Sequence, residues 1–85
     1  MSEPRIPLAL IPTGETVRLA NFGEELPSVQ REQLHAYGLV PDCEIKVLQR
    51  HPMPVILTDE IEIALENDVA RYIWVERDPK VTAHI

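Results

Sequence analysis

The chain has few of the residues on which several common classes of protein depend. Its 85 residues include a single cysteine, so no disulfide can form within the chain, and a reducing, cytoplasmic location is favoured. No apolar run approaches the roughly 20 residues that a membrane-spanning helix needs. The first residues also lack the basic region and apolar run of a signal peptide. We therefore expect a cytoplasmic protein.

Basic residues are also scarce, since eight Lys and Arg stand against fourteen Asp and Glu and the formal net charge is −6. A protein that binds nucleic acid neutralises phosphates with clustered Lys and Arg, whereas the basic residues of this chain are scattered. The composition thus argues against nucleic acid as a partner. The acidity confers solubility, and it would also suit a basic protein partner.

Eighty-five residues suffice for one small domain with a thin core, which a partner or self-association could supplement. Apolar residues alternate with a period of two along several short segments, which is typical of strands. Strands are predicted over residues 8–11, 16–20, 44–50, 55–58, 61–65 and 72–76. Residues 1–7 and 77–85 are expected to be flexible tails on either side of a domain over 8–76.

The same alternation predicts which side chains point into the core. The expected inward residues are Val17, Leu19, Ile45, Val47, Ile61, Ile63, Leu65, Ile73 and Val75, and Leu8 and Leu10 are expected to share one face of the first strand. Phe22, in the segment after the second strand, is either a core residue or a surface anchor, and its ring area favours the core in so small a domain.

One short helix is predicted over residues 28–37, with Ser28 as its N-cap. Val29, Leu34 and Tyr37 form its narrow apolar stripe. Gly38 is expected to end this helix, because glycine adopts a left-handed conformation without steric cost.

Pro41 and Asp42 then predict a turn into the strand that follows. A single helical turn is predicted over residues 67–71, with Asn67 as its cap. Six short strands with one inserted helix predict a mostly β fold that curls into an SH3-like, partly open barrel of five or six strands.

The elements follow an order that is characteristic of one family. A leucine-rich first segment precedes a glycine turn, a helix ending in Gly-Leu, a proline turn and an alternating strand, and later strands contain Ala-Leu and Ile-x-Val. The residues that carry this pattern are Leu8, Leu10, Gly14, Arg31, Leu34, Gly38, Leu39, Pro41, Asp42, Ile45, Val47, Pro52, Pro54, Ile63, Ala64, Leu65, Ala70, Ile73 and Val75. Over residues 8–76 the chain resembles the FeoA family and the related SH3-like C-terminal domain of DtxR-type metal-dependent repressors.

The sequence departs from that family pattern at three places. Asp42 stands where the family usually has glycine, although aspartate tolerates the left-handed region better than most residues. The hairpin over residues 51–54 looks shortened, and Asp59 and Glu60 replace a usual glycine.

The resemblance implies a function that depends on contact with another protein. The chain lacks the helix-turn-helix of a DtxR-type repressor, and a stand-alone domain of this kind resembles FeoA. The resemblance therefore implies a non-enzymatic accessory protein of ferrous iron uptake, which docks on the cytoplasmic part of a FeoB-type membrane GTPase. The alternative is a transition-metal sensor or carrier of the same fold.

No motif for catalysis is present in the sequence. There is no glycine-rich phosphate loop, nucleophile elbow or paired His and Cys spacing. Cys43 has no basic neighbour in sequence, so a buried structural thiol is favoured over a nucleophile.

The candidates for a metal site are weak. His51 with Asp59 or Glu60 across the hairpin offers the imidazole and carboxylate ligands that Fe²⁺ accepts. No ligand spacing of a known metal motif supports this set, so a solvated histidine beside solvated acids is the favoured interpretation. No resident cofactor is predicted.

The candidate partner surface is aromatic. If Ile73 and Val75 face inward, the period-two rule places Tyr72 and Trp74 outward together, where aromatic side chains are common interface anchors. Leu48 and Ile56 break the alternation of their own strands and are expected on outward faces as well. Together these four residues form the predicted contact surface.

Overall fold

The computed structural model describes residues 4–59 and 61–77, which form six strands, two α-helices and a 3-10 helix. In chain order the elements are β1 (Ile6–Pro7), the 3-10 helix (Leu8–Leu10), β2 (Thr16–Phe22), α1 (Ser28–Ala36), β3 (Glu44–Gln49), β4 (Val55–Thr58), β5 (Ile61–Ala64), α2 (Asn67–Ala70) and β6 (Ile73–Glu76). Residues 78–85 of the predicted second tail (77–85) and residues 1–3 of the first lie outside the described part of the chain.

All six strands join one antiparallel sheet in the order β1-β6-β2-β3-β4-β5. The register shifts between Leu19 and Asn21 where β2 meets β6, and between Val47 and Gln49 where β3 meets β4. Such bulges bend a strand and increase its twist. The result is a small, mostly β, SH3-like fold, as the sequence predicts, and β1 and β5 are its two edges.

The centre of the core comes from β2, β3 and β6. Val17 pairs with Ile45 and Leu19 pairs with Val75, so inward side chains on neighbouring strands lie side by side. The inward residues predicted for these three strands are all buried: Val17, Leu19, Ile45, Val47, Ile73 and Val75. Phe22 is half-buried and packs against this core, which agrees with the favoured interpretation.

The first predicted strand, residues 8–11, is wrong. Ile6 and Pro7, which were assigned to the tail, form β1 by pairing with Val75 and Trp74, and the 3-10 helix follows at once. Leu8 and Ile11 are buried, whereas Leu10 is 62% exposed. Buried residues three apart match the three-residue turn of a 3-10 helix, not the two-residue repeat of a strand.

Helix α1 buries one of its own residues. Leu34 is buried, but Val29 is exposed, so the predicted apolar stripe does not face the core as a whole. Pro27 occupies the N-cap position without a side-chain cap, and the predicted capping role of Ser28 is therefore wrong. Neither α1 nor α2 is long and apolar enough to cross a bilayer, and no other described segment is such a helix.

The junction after α1 has the predicted geometry. Gly38 has φ of 101°, its N–H donates to the His35 carbonyl at 3.0 Å, and the Leu39 N–H donates to the Leu34 carbonyl at 3.0 Å. These two bonds are the Schellman pattern that ends helices. Asp42 has φ of 73°, so aspartate holds a left-handed position here, as expected where the family has glycine.

Two predictions near β5 are wrong. Ile61 is 48% exposed although its period places it on the inner face, because β5 is an edge strand with no described strand beyond it. Asn67 does not cap α2, since Glu66 occupies the N-cap position without a side-chain bond. The Asn67 amide nitrogen instead donates to the Pro52 carbonyl at 3.4 Å, which links α2 to the loop before β4.

The predicted outward orientation of Ile56 is also wrong. Ile56 is 0% exposed and pairs with Val47 at the centre of the sheet. Leu48 is the extra residue of the β3 bulge, and it is half-buried. Along β4 itself the alternation is regular, with Ile56 and Thr58 buried, so the error lies in the face assigned to a strand that begins with three apolar residues.

Gly38→Ala is expected to destabilise the protein by about 1–2 kcal/mol, because a Cβ disfavours the left-handed conformation. Asp42→Gly is the matched control at the second left-handed position, and it should stay within about 1 kcal/mol of the wild type. Urea denaturation of the three proteins measures both changes. Equal stability of Gly38→Ala and the wild type would contradict the role given to Gly38.

Ile56→Ala is expected to lower the free energy of unfolding by about 2–5 kcal/mol, because it leaves a cavity in the core. Leu48→Ala, which truncates a half-buried residue at the bulge, should cost only about 1 kcal/mol. Thermal or urea unfolding compares the two variants. A larger loss for Leu48→Ala would mean that the burial of this strand pair is assigned incorrectly.

Candidate functional site

The four residues of the predicted contact surface do not lie together. Trp74 aligns with Asn21 on β2, whereas Lys46, two residues before Leu48, aligns with Thr16. Five residues of β2 separate these rows, which corresponds to roughly 16 Å along the strand. Because Ile56 is in the core, only Tyr72 and Trp74 remain as neighbours.

Both of these aromatic residues are half-buried. Trp74 alternates with buried Ile73 and Val75 and therefore lies on the outer face of β6, as predicted. Tyr72 precedes that strand and packs against the core. Gly23 lies beside both: its N–H donates to the Tyr72 carbonyl at 2.6 Å, and a Cβ on it would come within 3.2 Å of Trp74 Nε1. That Tyr72 and Trp74 bind a partner stays a prediction.

Of the predicted metal ligands, the two that the structure describes, His51 and Asp59, are not brought together by the fold. His51 lies in the loop before β4 and lines a cleft with Leu8 and Arg50, whereas Asp59 follows β4 and lines a different cleft with Tyr37. The strand β4 separates the two loops, and Glu60 lies outside the described residues. Across residues 4–59 and 61–77 there is no group of three or more His, Cys, Asp or Glu side chains that could hold a metal ion.

Cys43 is half-buried and packs against the core, where its carbonyl accepts a hydrogen bond from the Leu19 N–H at 2.9 Å. The residues that line the cleft beside it include no Lys, Arg or His among those the structure describes. This environment is that of a packing residue, which is the interpretation favoured by the sequence.

A surface that the sequence did not indicate runs between α1 and β5. Two clefts share Tyr37, which is 52% exposed, and we call them together the α1–β5 groove. One cleft, of about 540 Å³, is lined by Ala36, Tyr37, Gly38, Cys43, Glu44, Thr58, Asp59 and Ile61. The other, of about 160 Å³, is lined by Gln30, Gln33, Leu34, Tyr37, Ile63, Ala64, Leu65, Glu66 and Val69.

The groove has a distinctive distribution of charge. Glu44 and Asp59 lie at the end near Ile61, and Glu66 lies at the other end. None of the described residues that line it is Lys, Arg or His. Tyr37 lies where the two clefts meet, and Ile61 and Ala64 add apolar surface along β5, so the groove is an apolar trough with carboxylates at both ends.

Sequence reasoning missed this groove because it placed Tyr37 and Ile61 on inward faces. The acidic positions on either side of β5 were visible in the sequence. Their relation to Tyr37 depends on how α1 lies beside an edge strand, which no local pattern specifies.

A second apolar cleft of about 380 Å³ lies on the other side of α1, against β2. It is lined by Leu19, Asn21, Phe22, Ser28, Arg31, Glu32, His35 and Pro41. The Asn21 amide nitrogen donates to the Phe22 carbonyl at 3.2 Å, and its buried Oδ1 has no hydrogen-bond partner among the described residues. Both charge signs line this cleft, which distinguishes it from the α1–β5 groove.

Comparison with known structures supports the fold. An iron uptake regulatory protein (FeoA) is 25% identical, with 86% of this chain and 96% of that chain covered and a TM-score of 0.72. Iron(II) transport protein A from Clostridium thermocellum is 27% identical, with 85% of this chain and 45% of that chain covered and a TM-score of 0.75. No curated protein matches the sequence.

A manganese-dependent transcriptional repressor shares the fold at 23% identity, with a TM-score of 0.79. The alignment covers 92% of this chain and only 44% of the repressor, so the likeness concerns one part of that protein.

The family assignment comes from the sequence match. The FeoA domain model matches residues 6–77, which begins at β1 and ends just after β6. Because the match spans nearly every described residue, this chain belongs to the FeoA family.

Proposed function

We propose that this chain is a non-enzymatic, cytoplasmic accessory protein of ferrous iron uptake, and that it acts by binding the cytoplasmic part of a FeoB-type membrane GTPase. The observation that carries the proposal is the FeoA match over residues 6–77, since family membership supports a role in ferrous iron transport. The net charge of −6 and the exposed apolar side chains of Tyr37 and Ile61 are consistent with a contact protein.

A direct titration tests this proposal. The purified chain is expected to bind the soluble GTPase region of the FeoB-type transporter from the same source, measured by calorimetry. Deletion of its gene is expected to reduce ferrous iron uptake, and re-expression should restore it. Absence of binding together with unchanged uptake on deletion would contradict the proposal.

The contact residues predicted from the sequence can be tested in the same titration. Trp74→Ala with reduced affinity and a retained melting transition would place the indole in the interface. Loss of the melting transition would instead mean that Trp74 stabilises the fold at β6.

The alternative of a metal sensor or carrier has its own test. Calorimetry with Fe²⁺ under anaerobic conditions would favour that alternative if it gives saturable heat that is lost in His51→Ala. Heat that His51→Ala leaves unchanged would rule out His51 as a ligand.

A further inference from the structure

We propose that the α1–β5 groove binds an extended segment of a partner protein that adds to the edge of β5, and that this segment is apolar in its centre and basic at its ends. The assignment rests on the proposed function, because it names the chemistry by which the partner would be recognised. Three features of the molecule favour such a segment: the backbone register of β5, the side chains of the groove and the charge of the groove.

The register of β5 defines which backbone groups face outward. The Leu65 N–H donates to the Pro54 carbonyl at 2.8 Å, just beyond the pair Val55 and Ala64. Hydrogen-bonded and non-hydrogen-bonded pairs alternate in an antiparallel ladder. Ile63 and Ile61 therefore bond to β4, and the N–H and C=O groups of Glu62 and Ala64 point away from it.

These outward groups form a template for an added strand. No described loop residue forms a backbone hydrogen bond with Glu62 or Ala64. The other sheet edge, β1, is only two residues long and contains Pro7, which has no N–H to donate. Of the two edges, β5 is therefore the one that can accept a strand by backbone hydrogen bonds.

The side chains of the groove favour an apolar centre in the added strand. Tyr37 from the end of α1 and Ile61 from β5 line the same cleft, and about half of each is exposed: 52% for Tyr37 and 48% for Ile61. A strand laid along β5 would direct alternate side chains toward these two residues. Apolar residues at those alternate positions would bury surface that water now covers.

The charges favour basic residues at the ends of the bound segment. Asp59 lies at one end of the groove and Glu66 at the other, and an extended chain between these positions has about seven residues at 3.3 Å each. Lys or Arg at the two ends of such a segment would lie near carboxylates whether the segment runs parallel or antiparallel to β5. A complementary charge also speeds association.

The same charges disfavour a second copy of this chain as the occupant. Antiparallel pairing of two β5 edges about a two-fold axis would bring the Asp59 end of one copy beside the Glu66 end of the other. Like charges placed opposite each other across strands are destabilising. A partner of opposite charge therefore fits the edge better than self-association does.

The experiment uses the full chain and a dye-labelled peptide of about seven residues, with Lys at both ends and alternating Val and Thr between them. Fluorescence anisotropy is expected to show saturable binding to the wild type. A peptide with Glu in place of Lys should bind much more weakly. Equal binding of both peptides, or of neither, would overturn the proposal.

Ala64→Pro removes an N–H that points outward and leaves the hydrogen bonds between β5 and β4 in place. It is therefore expected to weaken binding of the Lys peptide about tenfold. Ala64→Ser is the matched control, since it keeps the N–H and should bind as the wild type does. Circular dichroism and thermal melting confirm that both variants fold. Equal affinity of the two variants would overturn the strand-addition geometry.

Peptide chemistry provides a second readout that does not depend on a variant. N-methylation of the peptide at the alternate positions that face β5 should abolish binding, whereas N-methylation at the other positions should not. Asp59→Asn combined with Glu66→Gln is expected to weaken binding about threefold to tenfold, by loss of two exposed charge pairs. Insensitivity to both changes would overturn the proposal.

Binding of the FeoB-type GTPase region to the wild type and to Ala64→Pro distinguishes a failure of this inference from a failure of the proposed function. If the FeoB-type GTPase region binds the wild type and Ala64→Pro equally well, the groove is not the contact surface, but the accessory function stands. If the GTPase region binds neither the wild type nor Ala64→Pro, the accessory function fails. In that case, binding of the Lys peptide that is weaker in Ala64→Pro than in the wild type still supports the groove as a peptide site. Sedimentation velocity that shows a dimer in Ala64→Ser but not in Ala64→Pro would make a second copy the occupant and overturn the basic partner.

Discussion

The position of α1 depends on the junction that joins it to β3. The Asp42 N–H donates to the Leu19 carbonyl at 2.8 Å, and the Leu19 N–H donates to the Cys43 carbonyl at 2.9 Å. Leu39, between the two left-handed residues, is completely buried. Because α1 buries only Leu34 of its own, the helix relies on this junction to lie beside the sheet. Gly38 and Cys43 of the junction line the groove together with Tyr37, so the junction also shapes the groove.

The sheet gives the molecule two unequal edges. β1 is short and blunted by Pro7, whereas β5 presents the outward backbone groups of Glu62 and Ala64 beside an apolar and acidic surface. Proteins usually protect exposed edges with charge, and the carboxylates around β5 repel a second copy of the chain. The same carboxylates attract a basic segment, so one set of side chains can oppose self-association and select a partner.

The strand pattern of the core could be predicted from the sequence because alternation of apolar residues has a direct physical cause in two-sided strands. It succeeded for β2, β3 and β6, which are buried between neighbours. It failed at Ile61, where an edge leaves an inward residue exposed, and at Ile56, whose strand begins with three apolar residues that do not mark an outer face. Which strand forms an edge, and which face of an apolar strand turns inward, are decided only in the assembled sheet.

The candidate site was harder to predict than the fold for a related reason. The turn residues Gly38 and Asp42 were recognisable, because left-handed backbone conformations select few residue types. The caps expected at Ser28 and Asn67 were not formed, since Pro27 and Glu66 occupy those positions. The groove itself joins residues far apart in sequence, Tyr37 with Ile61 and Glu66, and only the packing of α1 brings them together.

The central claim is that this FeoA protein works through contact at the open edge of β5. The most direct measurement is amide chemical-shift mapping of the ¹⁵N-labelled chain during titration with the GTPase region of the FeoB-type transporter. We predict the largest shifts at Glu62, Ala64 and Tyr37, with slowed hydrogen exchange at the first two. Shifts confined to the outer face of β6 around Trp74, with Glu62 and Ala64 unchanged, would contradict the account.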